Sequence, residues 1–147
     1  MARKKFIAFA SEHNRCRSLI AEAYLRRHGS QYFEALSFGV SPDRLHHLAY
    51  QVLKRRRFNT NHYFSKAYEV VERQGFDLLV AMNPEVLKKL PDFPHNFDTV
   101  VWNIEDPIQP GLDDAAIIRK IEAAADEIEQ KVKELIAEKK PAELTTA

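Results

Sequence analysis

Apolar positions along the chain alternate between two patterns. Residues 6–10 (Phe6-Ile7-Ala8-Phe9-Ala10), 32–37, 76–81 and 97–104 are short runs rich in apolar residues. Runs of that length between polar clusters predict buried strands. Between them the apolar spacing changes to three and four. Residues 17–28 predict a helix, with Ser18 near its start and Gly29 just past its end. Residues 43–54 place Leu45, Leu48, Ala49, Val52 and Leu53 on one helical face. Residues 65–74 predict a shorter helix, and residues 84–90 another with Pro84 in its first turn. Asp113 or Asp114 caps a long last helix. Its stripe is Ile117, Ile121, Ala124, Ile128, Val132 and Leu135. The tail, residues 139–147, is polar, contains Pro141 and is expected to fray.

Strands that alternate with helices and read as near-continuous apolar runs predict an α/β fold with a parallel sheet covered on both faces. The expectation is one domain over residues 1–147, a three-layer sandwich with a four-stranded parallel sheet. In such sheets ligands bind outside the carboxyl ends of the strands. Three polar segments leave strand ends, residues 11–18, 37–42 and 105–111, and topology brings them toward one pocket.

Composition narrows the function. The chain is 45% hydrophobic and 29% charged with a net charge of +1, which gives no general pull toward nucleic acid or a membrane surface. The basic run Lys54-Arg55-Arg56-Arg57 reads as a solvated helix end, its cations near the negative pole of the helix dipole. One cysteine, Cys16, precludes an internal disulfide and points to a reducing, cytoplasmic compartment. After the basic start, the apolar stretch of about five residues is too short for a signal peptide. No run approaches the ~20 apolar residues of a membrane span. The adjacent His46 and His47 are expected on different sides of a helix, which is not metal-ligand spacing.

Candidate chemistry concentrates in Ser11-Glu12-His13-Asn14-Arg15-Cys16-Arg17-Ser18. A loop wrapped over a helix N-terminus aims several backbone N–H groups at one point, where the helix dipole adds partial positive charge. Such successive N–H groups form an anion-binding nest, and Arg17 can add a bidentate fork for a tetrahedral oxyanion. The nucleotide pattern GxxxxGK[ST] is absent.

The loop resembles the active-site loop of low-molecular-weight protein tyrosine phosphatases and the related thioredoxin-coupled arsenate reductases. Asn14, Cys16, Arg17, Ser18 and Ala21-Glu22-Ala23 match that motif, with Ser11 standing where those proteins carry the first cysteine. Ser37-Phe38-Gly39, Thr60-Asn61-His62 with Ser65-Lys66, the run from Phe76 to Met82, and Trp102-Asn103-Ile104-Glu105-Asp106-Pro107 extend the likeness along nearly the whole chain. The resemblance implies metal-free, two-step phosphoryl transfer with no cofactor. A thiolate attacks phosphorus, loop N–H groups and an Arg hold the oxygens, and an Asp serves as acid and then base. Carried over, Ser11 stands at the nucleophile's position, Arg17 is the oxyanion clamp and Asp106 the acid/base. Residues 11–18 are the phosphate-binding loop. Asn14 and Ser37 support it, and Ser18 donates to the nucleophile. The implied ligand is a phosphotyrosine peptide, a small phosphomonoester or free oxyanion. The expected state is a monomer or weak dimer.

Ser11 alters that mechanism. A helix N-terminus and nearby cations depress a thiol pKa into the neutral range, but a serine hydroxyl stays protonated in the same field and needs an adjacent base. His13 is the only sequence neighbour of that kind, and in such a loop it is not expected to reach Ser11. The expectation is an inactive or substrate-trapping form, arising from an engineered exchange or a natural loss; retention of Asp106 favours the former. Cys16 directly precedes Arg17 and reads as a small side chain inside the loop. Glu12 is expected to point outward. A disulfide relay of the reductase kind needs further cysteines near the end of the third strand, and residues 77–94 contain none. The segment after Asp106 lacks the paired aromatics of many eukaryotic phosphatases of this type, and there it looks more like the reductase branch.

Overall fold

A computed structural model describes residues 3–141. Four parallel strands, β1 (Lys5–Ser11), β2 (Phe33–Gly39), β3 (Leu78–Ala81) and β4 (Asp98–Val101), lie in the order β2-β1-β3-β4. The order reverses between β1 and β3, so a crevice opens at the carboxyl end of β1, where an open α/β sheet places its ligand. Strand side chains alternate between two apolar clusters. Ile7, Phe9, Leu78 and Val80 face one; Ala8, Ala10, Leu79 and Ala81 face the other.

The first cluster is roofed by α1 (Arg17–Gly29), α2 (His47–Arg55) and α5 (Asp114–Lys139). The predicted α5 stripe, from Ile117 to Leu135, is buried there, and the Asp113 side chain accepts a bond from the Ala116 N–H to start the helix. The opposite face is covered by α3 (Tyr68–Glu72) and α4 (Pro84–Lys89), with the rings of Phe38, Phe76, Phe93 and Phe97 packed together beneath them. This is the expected α/β architecture. Most of the fraying expected of residues 139–147 lies outside the described residues.

Several boundaries differ from the sequence pattern. The helix expected from residue 43 starts at His47, and the one expected from residue 65 starts at Tyr68. A single 3-10 turn, Thr60–His62, precedes it. The strand expected to reach residue 104 ends at Val101, although Trp102 N–H to Ala81 O and Ile104 N–H to Met82 O continue its pairing past the end. His46 caps α2 from outside, so the two histidine rings stack at 4.6 Å instead of pointing apart. The basic run is not simply solvated. Arg56 donates to Tyr24 Oη at 2.7 Å and pairs with Glu122 and Asp126 of α5, tying α1, α2 and α5 together.

Candidate functional site

The loop of residues 11–18 runs from the end of β1 into the first turn of α1. Ser11, His13, Asn14, Arg15, Cys16, Arg17 and Asp106 line one small pocket. Among the described residues, the N–H groups of Glu12, His13, Arg15, Cys16, Arg17 and Ser18 donate no hydrogen bond, so they remain available to a ligand; the first bond of α1 is Ile20 N–H to Cys16 O. Unpaired donors at a helix start carry the positive end of the helix dipole.

Two outer segments, residues 39–46 and 65–66, fix the loop. Its carbonyls are bound from outside: Ser11 O by Val40 N–H, Glu12 O by Ser41 N–H, His13 O by Asp43 N–H and Arg15 O by His46 N–H. With the carbonyls turned outward, the N–H groups face the other way. Asn14 makes the sharpest turn, at φ 49°, in the left-handed region that Asn tolerates better than most side chains. Its Nδ2 donates to Ser18 Oγ at 2.6 Å and its Oδ1 accepts from Lys66 N–H at 2.8 Å. Gly39 lies so close beneath that a Cβ there would come within 2.8 Å of the His13 carbonyl carbon and 2.9 Å of Asn14 N.

Ser11 Oγ accepts from Asn14 N–H at 3.1 Å and is hydrogen-bonded to Ser18 Oγ at 2.6 Å. His13 Nδ1 bonds Ser41 O instead, so no base touches Ser11. Arg17 is buried, and its Nη1 donates to Ile104 O at 2.8 Å, holding the guanidinium against the segment that carries Asp106. Burial pulls its pKa down while Asp106 pulls it back up. Cys16 belongs to the loop, but its side chain packs into the first apolar cluster, and burial, with Asp106 adding to it, pushes its thiol from an ordinary 9.0 up to about 12. It stays protonated.

Asp106 reaches the pocket from beyond β4. Its Oδ1 accepts from Ile108 N–H and its Oδ2 from Arg15 Nη2 at 3.2 Å. Glu12 turns away from the pocket lining and pairs with Lys89 of α4 at 3.1 Å. Residues 11–18 and 105–111 therefore converge, while residues 37–42 form a girdle behind the loop.

Ser37 does not bond the loop directly. Its Oγ donates to Glu22 Oε1 at 2.5 Å and accepts from Lys66 Nζ at 3.3 Å. Glu22, 1% exposed, also pairs with Arg26 at 2.7 Å, and Lys66, 9% exposed, donates to Phe64 O. Burial lowers the Lys66 pKa, with Glu22 opposing the shift. Lys66 reaches the site through its main chain, whose N–H holds Asn14 and whose carbonyl accepts from Gly39 N–H. Its part, and the contact of Arg15 with Asp106, were not foreseen from sequence. Ser65-Lys66 signalled only a turn, and Arg15 only membership of the loop. Among the described residues, no group of three His, Cys, Asp or Glu side chains is placed to hold a metal, and no helix is long and apolar enough to cross a membrane.

Fold and pocket together define a doubly wound α/β protein with an N–H-lined nest between its first strand and first helix. The chain belongs to the low molecular weight phosphotyrosine protein phosphatase family, whose model matches residues 6–144. It is 26% identical over 133 residues, 88% of this chain and 94% of the relative, to an arsenate reductase of Halalkalibacterium halodurans. Its fold is similar to that of a low molecular weight protein tyrosine phosphatase from T. tengcongensis, with a TM-score of 0.73 at 21% identity, covering 92% of this chain and 99% of that one. A thioredoxin-dependent arsenate reductase of Corynebacterium glutamicum gives a TM-score of 0.71 at 24% identity over 93% of this chain; the match spans only 62% of that protein. The family thus contains enzymes named for either reaction.

Proposed function

We propose that this chain binds the phosphoryl group of a phosphomonoester, or a free tetrahedral oxyanion, in the loop of residues 11–18 and holds it without turnover. With a cysteine at position 11 the same site is a metal-free phosphomonoesterase. The observation that carries this reading is the pocket itself, where unpaired loop N–H groups, Arg17 and Asp106 surround one small cavity. In the catalytic form, loop N–H groups and Arg17 stabilise charge on the equatorial oxygens. Asp106 protonates the leaving oxygen and then activates water against the phosphocysteine. Ser18 Oγ and the Asn14 N–H, both beside position 11, stabilise a thiolate there. They do not suffice for an alkoxide, which lacks a neighbouring base. The chain acts as one domain, as a monomer or weak dimer, in the cytoplasm. Reduction through an internal cysteine relay is not favoured, because Cys16 is the one cysteine in the sequence and lies buried.

The test compares Ser11 and Ser11→Cys forms on p-nitrophenyl phosphate. The Cys form should turn over and be blocked by vanadate, and Asp106→Asn in that form should lower kcat by about 10²-fold. This good leaving group needs little protonation, so the loss falls at the lower end of the usual range. An inert Cys form that still binds phosphate would overturn the catalytic half and leave an oxyanion-binding module.

A further inference from the structure

The lining of the pocket is polar. Beyond the loop N–H groups, an entering ligand meets His13, Arg15 and Asp106; no aliphatic side chain is in this lining, and the apolar side chains of Ile104, Pro107 and Ala124 belong to an adjoining cavity that shares Asp106. Beside the nest itself, a polar group on the ligand can replace the water around Arg15 and Asp106, whereas an aryl ring there would desolvate these charges without replacing their partners. Arg15 is the distinctive feature. Of its donors, Nη2 alone has a partner, Asp106 Oδ2 at 3.2 Å, and its Nε is buried with no acceptor among the described residues. A buried guanidinium N–H without an acceptor is costly, and a carboxylate taking Nε and an Nη together is the geometry a guanidinium fork fits best. Arg15 N–H also belongs to the nest that faces the phosphoryl, so one residue contributes main chain to the anion and side chain to its surroundings. A second acid near the loop, Glu12, lies outside the pocket lining and is paired with Lys89 at 3.1 and 3.2 Å.

Building on the oxyanion reading above, we propose that the ligand is a small, non-aromatic phosphomonoester carrying a second acidic group, a carboxylate within a few bonds of the phosphoryl, and that Arg15 recognises that group. The phosphoryl sits in the nest against Arg17. The carboxylate draws Arg15 from Asp106 and supplies the acceptor that Nε lacks. No bond is made or broken in this step.

The Ser11 form, which binds without turnover, is the right protein for the test. Calorimetric titrations of the full chain would use inorganic phosphate, phenyl phosphate and 2-phosphoglycolate, repeated on Arg15→Gln. The expected result is phosphoglycolate binding about tenfold or more tighter than phenyl phosphate, the gain of a charge-assisted bidentate contact. In Arg15→Gln that ratio should fall to near one, even though affinity for all three drops as the mouth loses a positive charge. Phenyl phosphate binding as tightly as phosphoglycolate would overturn the proposal, and so would a ratio that survives in Arg15→Gln. Binding of inorganic phosphate separates the two readings. If it binds and the carboxylate brings no gain, only the ligand class is wrong. If none of the three binds while the circular dichroism spectrum is that of a folded protein, the oxyanion site itself is wrong and this proposal falls with it.

Discussion

Ser11 Oγ has two neighbours, Ser18 Oγ and the Asn14 N–H, and both bear on the acid strength of whatever stands at position 11. Donors of that kind are enough to hold a thiolate and too few to ionise a hydroxyl. Cys16, five residues on, shows the opposite environment. It is completely enclosed, with its thiol raised to about 12. The native protein should therefore leave a disulfide reagent such as 5,5′-dithiobis(2-nitrobenzoate) unreacted at pH 8, with one thiol appearing only on unfolding. The same burial fixes a pH dependence. Unfolded, the thiol ionises from about pH 9; folded, it keeps its proton to about 12. The folded state thus binds more protons in that window, so stability is lost as pH rises through it. Urea titrations between pH 8 and 10.5 should show a steeper decline for the native chain than for Cys16→Ala. Equal slopes would mean the thiol is not shielded.

The long elements were legible in the pattern, and the reason the others were not is itself physical. Strand β1 and helices α1 and α5 follow from uninterrupted apolar spacing, and their ends fall within a residue or two of expectation. The misread stretches are those that serve the loop. Residues 43–46 carry helical spacing, and Leu45 does pack against the core. But His46 is held extended, at ψ 137°, with its N–H on Arg15 O and its side chain capping Leu48 N–H, and the helix starts at His47. Residues 65–67 are held likewise, with Ser65 Oγ on His13 O and Lys66 N–H on Asn14 Oδ1. Local propensity yields where tertiary bonds to a functional loop claim the backbone. Gly39 belongs to this girdle. Gly39→Ala forces a methyl against the His13 carbonyl carbon and Asn14, and should cost about 1–3 kcal/mol, read from the denaturant midpoint, with weakened phosphate binding. A variant as stable as the parent would show that the loop can move aside.

At the scale of the molecule, the buried cluster of Glu22, Ser37, Lys66 and Arg26 joins helix α1, strand β2 and the segment leading into α3 around one carboxylate. Lys66→Met removes one of two cations beside Glu22. Since Arg26 remains at 2.7 Å, the expected loss is about 1–3 kcal/mol, below the cost of orphaning a buried charge outright. A fall in thermal midpoint of several degrees would register it, and an unchanged midpoint would count against the cluster as a tie between the three segments. The sequence alone signalled the anion nest and Arg17 because they rest on one contiguous stretch, and Asp106 through the resemblance at its Asp-Pro pair. It was silent on Lys66 and on the partner of Arg15, because both depend on contacts across long stretches of chain. The near-collision of Gly39 with Asn14 reaches further, into how this protein can change over generations. A side chain gained at 39 is tolerable only if the left-handed turn at 14 relaxes. A different residue at 14 in turn surrenders the bonds to Ser18 and Lys66. The two positions are thereby heritable as a pair, and a lineage that drifts at one should be found to have drifted at the other.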